Sequence, residues 1–248
     1  MKLKAAIQFK LSFYFRLLSI IGLFYLVFAL IGPGIISISS DEKLTVWEPE
    51  ILFCFYSALA IFLTSTSGML FLFQNGASRK TMFLSTFITM IIGNVTCIVL
   101  SQVLKYVLSF VLKIHVSHEF FNLYGYYFKS QFFNELSYFV LILVIAFIFS
   151  SFAMLLGTVL SLATKTMKMI IFGSFSFIVI FGITAIKIID IDIFKKLGFI
   201  IGNTHSVVHF HLFPITPILI GTMLIIILCS THFIVNKNIE TNRIITDL

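Results

Sequence analysis

The sequence predicts an all-α membrane protein: a single domain over residues 1–248, built from six transmembrane helices. Three observations carry that reading. Six long apolar stretches contain no Asp, Glu, Lys or Arg: Leu17–Ile36, Ile51–Phe73, Met82–Leu104, Leu136–Leu162, Met169–Ile186 and Pro217–Val235. Each is near the roughly 20 residues a helix needs to cross a ~30 Å hydrocarbon core. Charged residues make up 11% of the chain, against about 25% in a soluble domain. The longest gap between stretches is about 30 residues, too short for a sizeable soluble domain.

Residues 1–16 precede the first stretch and predict an interfacial elbow helix. Leu3, Ile7, Leu11, Tyr14 and Leu18 recur at helical spacing, with Lys2, Lys4, Gln8, Ser12 and Arg16 elsewhere. A basic amphipathic helix of that kind lies in the membrane interface. Gly32-Pro33-Gly34 is expected to close the first span. Ser37–Glu50 is short and acidic, and Trp47 stands where an interface anchor belongs. Stretches 2 and 3 are joined by Gln74-Asn75-Gly76-Ala77-Ser78-Arg79-Lys80-Thr81. Asn75-Gly76 is a turn signal, since both residues tolerate positive φ, and Ser78 is placed to cap the helix that follows. The connection Lys105–Glu135 is rich in Phe and Tyr, which suits the headgroup level. Stretches 4 and 5 meet in a tight turn around Thr164–Lys168. Residues 197–212 turn apolar again but carry Asn203, His205, His209 and His211. They are too short and polar to cross and return, and predict a re-entrant outer element, tolerated where protein or a wet cavity covers its backbone.

Charge sets the expected orientation. With the N-terminus inside, the inner segments hold Lys2, Lys4, Lys10, Arg16, Arg79, Lys80, Lys165, Lys168, Lys237 and Arg243 against Glu240 and Asp247, which leaves seven basic and eight acidic residues outside. Basic residues concentrate in cytoplasmic loops, so both termini are expected in the cytoplasm. The basic inner face suits anionic lipid and requires no nucleic acid.

Catalytic chemistry finds no foothold. The chain lacks a Gly-rich phosphate loop and any His-Glu-x-x-His or Gly-x-Ser-x-Gly string. The expectation is therefore a non-enzyme with no catalytic or cofactor-binding residue. His115 with His118, and His205 with His209 and His211, have spacings that zinc sites use, but without the Cys or carboxylates that usually complete them, and no metal site is expected. Cys54, Cys97 and Cys229 lie inside apolar stretches and are expected to pack as small hydrophobes. Polar residues within the stretches that could line a path are Thr64, Ser67, Asn94 and Gln102. Thr64 and Ser67 could equally bond back to their own helix.

The string Gln74–Thr81, placed between the second and third of six spans after an amphipathic N-terminus, resembles that of type 2 ABC exporter permeases. In that family an Asn-Gly-x-Ser-Arg-Lys string there forms the coupling helix, which docks on a separate ATPase. In particular the chain resembles the small hydrophobic permeases of staphylococci that export phenol-soluble modulins, which are amphipathic helical toxins. The resemblance implies a bacterial plasma-membrane permease subunit that moves amphipathic or hydrophobic peptides outward. Its partners would be a cytoplasmic ABC ATPase holding ATP and Mg, and a second copy or a related permease. Gln74, Asn75, Gly76, Ala77, Ser78, Arg79, Lys80 and Thr81 would make the ATPase contact. The alternative is a non-transporting immunity or scaffold protein that protects the cell from such peptides.

Overall fold

A computed structural model describes residues 2–37, 45–46, 49–107, 110, 115–116, 128–163, 166–167 and 214–237. Five long helices dominate: α1 (Leu3–Ser37), α2 (Pro49–Gln74), α3 (Arg79–Tyr106), α4 (Gln131–Leu162) and α5 (Ile215–Lys237). Each contains a segment long and apolar enough to cross a membrane. The other regular structure described in the loops is a two-residue parallel pairing, Thr45 with His115 and Val46 with Val116. The fifth apolar stretch (Met169–Ile186), the element at 197–212 and most of the aromatic outer connection lie outside the described residues.

The helices form one bundle. α1 and α3 run one way; α2, α4 and α5 run the other. Ala6 of α1 packs with Met69 and Leu72 of α2 and with Met82 near the start of α3. Further along, Tyr14 and Leu18 join Phe53, Ala60, Ile61, Met90, Cys97 and Met154 in a second cluster. Cys54, Ile98, Tyr138, Ile142 and Ala146 form a third. α5 follows α4 in parallel: Gly221 is backed by Val144 and Ile148, and His232 meets Thr158. The chain between Ala163 and Pro214 therefore leaves from one end of the bundle and rejoins at the other.

Small residues let the helices close. A side chain at Gly157 would press on the Phe62 carbonyl and the Ser65 Cβ, each at 2.9 Å, so α2 and α4 meet nearly backbone to backbone. Such contacts are the usual means of helix association in lipid, where burial of apolar surface drives nothing. Cys54 and Cys97 are buried among apolar neighbours and Cys229 is half-buried, all as free thiols, in line with the packing role read from sequence.

Two boundaries differ from the sequence reading. Residues 3–16 are no separate elbow; they continue unbroken into α1 and pack against α2 and α3. The buried stripe is Ala6, Lys10, Tyr14 and Leu18, whereas Leu3, Ile7 and Leu11 are only half-buried. An apolar stripe marks the protein-facing side only where water covers the other side. In a bundle surrounded by apolar solvent, the mixed polar stripe turns inward. α1 is also long: 35 residues span about 52 Å at ~1.5 Å per residue. It ends three residues beyond Gly34.

Candidate functional site

The 74–81 connection forms no helix of its own, which is the second difference. Gln74 ends α2 and Arg79 begins α3. Gly76 has φ +69°, a left-handed conformation that suits glycine. The Gly76 N–H donates to the Phe73 carbonyl at 3.0 Å and the Ala77 N–H to the Leu72 carbonyl at 2.9 Å. These are the two bonds of a Schellman motif, and Ala77 packs on Leu72 as that motif favours. One residue later Ser78 caps α3, its Oγ accepting from the Thr81 N–H at 3.2 Å. Two helix terminators back to back leave no room for a third helix, and so the reversal is stiff. Gln74, Asn75, Gly76, Ser78, Arg79 and Lys80 are exposed on it, and Ala77 is buried.

Arg79 reaches further than its sequence neighbours suggest. Its Nη1 donates to the Lys237 carbonyl at 2.7 Å, and the Asn236 Nδ2 donates back to the Arg79 carbonyl at 3.4 Å. A guanidinium on the last carbonyls of α5 satisfies orphan acceptors and meets the negative end of that helix. The turn thus touches three helices: α2 and α3 covalently, α5 through Arg79.

The structure does not bring the four candidate path residues, Thr64, Ser67, Asn94 and Gln102, to one place. They fall at three levels. At the middle of the bundle Asn94 is 0% exposed. Its Oδ1 accepts from the hydroxyls of Ser57 and, at 2.9 Å, Ser150. The Tyr14 hydroxyl lies 2.7 Å from the Ser57 Oγ. Since Ser57 gives its proton to Asn94, Tyr14 is the donor in that contact. One residue from each of α1, α2, α3 and α4 is therefore joined in one chain. Gln102 sits two turns away, about 12 Å along α3 at ~1.5 Å per residue. There its Nε2 donates to the Glu50 Oε1 at 3.1 Å, and the Lys105 Nζ pairs with the same oxygen at 2.8 Å. Glu50, read from sequence as part of an acidic loop, is fully buried in the first turn of α2, where a carboxylate meets the positive helix end.

The level nearest the 74–81 turn holds Thr64 and Ser67. Thr64 donates to the Ile61 carbonyl at 2.9 Å and Ser67 to the Leu63 carbonyl at 2.7 Å, the self-bonding alternative. Both also line a cavity of about 200 Å³ between α1 and α2, with Phe9, Lys10, Phe13 and Gly68.

This level contains two residues the sequence reading passed over. Lys10, counted from the sequence only among the basic residues of the inner segments, is 2% exposed inside the bundle, its Nζ donating to the Thr86 Oγ1. His232 of α5 is buried too, with Nε2 2.8 Å from the Thr158 Oγ1 and its ring against Phe83. Thr158 already donates to the Met154 carbonyl, so the imidazole carries its proton on Nε2, and Nδ1 has no partner among the described residues. The signal for Lys10 was in the sequence. Ala6, Lys10, Tyr14 and Leu18 repeat every four residues, and Tyr14 and Leu18 belong to the apolar face read from the sequence. His232 lay inside an apolar stretch with no charged residue and no second histidine to draw attention to it.

No family model, no curated protein and no solved structure matches the chain.

Proposed function

We propose that the chain is the transmembrane permease subunit of an ABC exporter that moves amphipathic or hydrophobic peptides outward, with ATP hydrolysed by a separate cytoplasmic subunit. The observation that carries this reading is the construction of the 74–81 turn. It is short and stiff, presents Arg79 and Lys80 at one end of the bundle, and is bonded to the end of a third helix. A contact made there moves α2, α3 and α5 together. A bundle with no phosphate-binding loop in its sequence has to receive mechanical work through such an element.

Six crossings fit the geometry of the described helices, because α4 and α5 are parallel and consecutive among them. The return between them is assigned to the apolar stretch Met169–Ile186. The low charge of the stretches suits an amphipathic peptide better than a sugar phosphate or a metal ion, since each unpaired charge moved through such surroundings costs at least about 2.5 kcal/mol. A second copy or a related permease would supply the other wall of the path.

The test is coexpression with the candidate ATPase, followed by reconstitution. The ATPase should copurify, and amphipathic helical peptides should raise its turnover, with polar solutes of similar size having no effect. Lys80→Glu is the informative variant. Arg79 also holds the end of α5, so reversing its charge would confuse docking with folding, whereas Lys80 is exposed. Lys80→Glu should leave insertion intact and abolish the peptide-stimulated turnover. Failure of any ATPase to copurify would favour the immunity or scaffold role, and full stimulation in Lys80→Glu would remove the turn from the mechanism.

A further inference from the structure

Lys10 is a buried lysine with too few partners for its ammonium form. An ammonium has three donors, and among the described residues Nζ has one acceptor, the Thr86 Oγ1, whose own proton goes to the Met82 carbonyl. The carboxylates among the described residues are Glu50 and Glu135. Glu50 is bonded to Lys105 and Gln102 at the far level, and Glu135 to Gln131. A cation in the low-dielectric interior of a bundle is costly unless a counter-charge reaches it, and by default it marks a site.

The cavity beside it shows where a counter-charge could come from. Its volume of about 200 Å³ equals that of about six or seven waters at ~30 Å³ each. That accommodates a small headgroup and the first few carbons of a chain. The lysine stem crosses Gly68, with Cε 3.5 Å and Cγ 4.0 Å from where a Cβ would stand there. Phe9 is fixed by stacking on Phe71 at 4.3 Å between ring centres, and with Phe13 it makes an aromatic wall. Ser67 lies exposed at the rim. The hydroxyls of Thr64 and Ser67 spend their protons on their own helix, so Lys10 is the side chain with donors to spare in the lining.

We propose that the groove between α1 and α2 binds a single-chain anionic amphiphile of lipid type, its carboxylate or phosphate headgroup drawn in toward Lys10 and its chain leaving across Phe9 and Phe13. The cavity is too small for the whole ligand, so the chain continues along the outer surface of the helices. Charge complementarity selects the headgroup; the aromatic wall and the open rim select a tail. This site is independent of whether the chain has an ATPase partner.

The test uses the purified full chain in phosphatidylcholine nanodiscs, with dodecanoate, dodecyl phosphate and dodecanol as probes and native mass spectrometry as the readout. Wild type should bind at least one of the two anions tenfold or more tighter than the alcohol. A preference for dodecanoate assigns a carboxylate, and one for dodecyl phosphate a phosphate. Lys10→Met should reduce that preference to within twofold, while Lys4→Met, on the exposed side of α1, should leave it unchanged. Gly68→Leu, which fills the cavity, should weaken all three probes. Equal binding of alcohol and anions by wild type would overturn the proposal without any variant, and so would a preference that survives Lys10→Met or falls equally in Lys4→Met. Retention of an acidic amphipathic peptide in place of both small anions would overturn it as well.

Discussion

Gly93 of α3 lies against the ring of Tyr14, and replacing it tests how tightly the middle of the bundle is built. A Cβ at Gly93 would stand 2.6 Å from the Tyr14 Cζ and 2.9 and 3.0 Å from its two Cε atoms. Carbon atoms pack at about 3.5–4.0 Å, so Gly93→Ala requires the ring to retreat by about 1 Å. The ring has nowhere easy to go: Tyr14 is fully buried and its hydroxyl is held by Ser57. Overpacking of this kind costs about 1–3 kcal/mol. Losing the Tyr14–Ser57 bond adds about 1–3 kcal/mol for a buried hydroxyl left unpaired. Alanine recovers about 1 kcal/mol over glycine within a helix. The expected net loss is therefore about 1–5 kcal/mol. Gly22→Ala is the control, because nothing among the described residues lies within 4 Å of its Cβ position; it should be neutral or slightly stabilising. Unfolding in mixed micelles with increasing dodecyl sulfate, followed by far-UV circular dichroism, gives the comparison. In the Tyr14→Leu background the loss from Gly93→Ala should largely vanish, a coupling of at least about 1 kcal/mol. If Gly93→Ala matches wild type, or costs the same in both backgrounds, the close contact between α1 and α3 is refuted.

Two further stability predictions use the same titration. Asn94→Leu removes the acceptor shared by Ser57 and Ser150 and should cost about 1–2 kcal/mol, the upper range for polar contacts between membrane helices. Adding Ser57→Ala and Ser150→Ala should recover part of it, and no recovery would count against the shared acceptor. Glu50→Gln keeps a partner for Gln102 but removes the charge facing Lys105 and should cost about 1.5–3 kcal/mol, as for a hydrogen bond to a charged group; an unchanged midpoint would place Glu50 in water.

Much of the architecture could be read in the residues, and the failures share a cause. Apolar length located α2, α3, α4 and α5 because the cost of unsatisfied backbone in lipid leaves helices as the main solution. Asn75-Gly76 and Ser78 announced the reversal, since positive φ and an N-cap depend on local chemistry. What failed was the assignment of faces. Leu3, Ile7 and Leu11 look like a buried stripe by the logic of soluble proteins, yet the packed stripe contains Lys10. Glu50 looked like loop acidity, yet Lys105 and Gln102, more than 50 residues away, bring it inside. Thr64, Ser67, Asn94 and Gln102 are polar for separate reasons at separate levels, and spacing along the chain carries no record of which helix stands opposite.

The four-residue repeat on α1 poses a problem of alignment. Ala6, Lys10, Tyr14 and Leu18 lie one above another, so sliding the helix by one turn, about 5.4 Å, would bring a similar surface against its neighbours. Chemistry forbids the slip. Shifted one way, the ammonium of Lys10 would face Gly93 and Ser57, and the ring of Tyr14 would miss its glycine notch. Shifted the other way, Tyr14 would have to fit beside Thr86, and Lys10 would fall among Met69, Leu72 and Met82. Each rung accepts one residue, so α1 has a single vertical setting against α2 and α3. A helix keyed in this way cannot creep by small steps under load; it either holds its position or leaves by a whole turn.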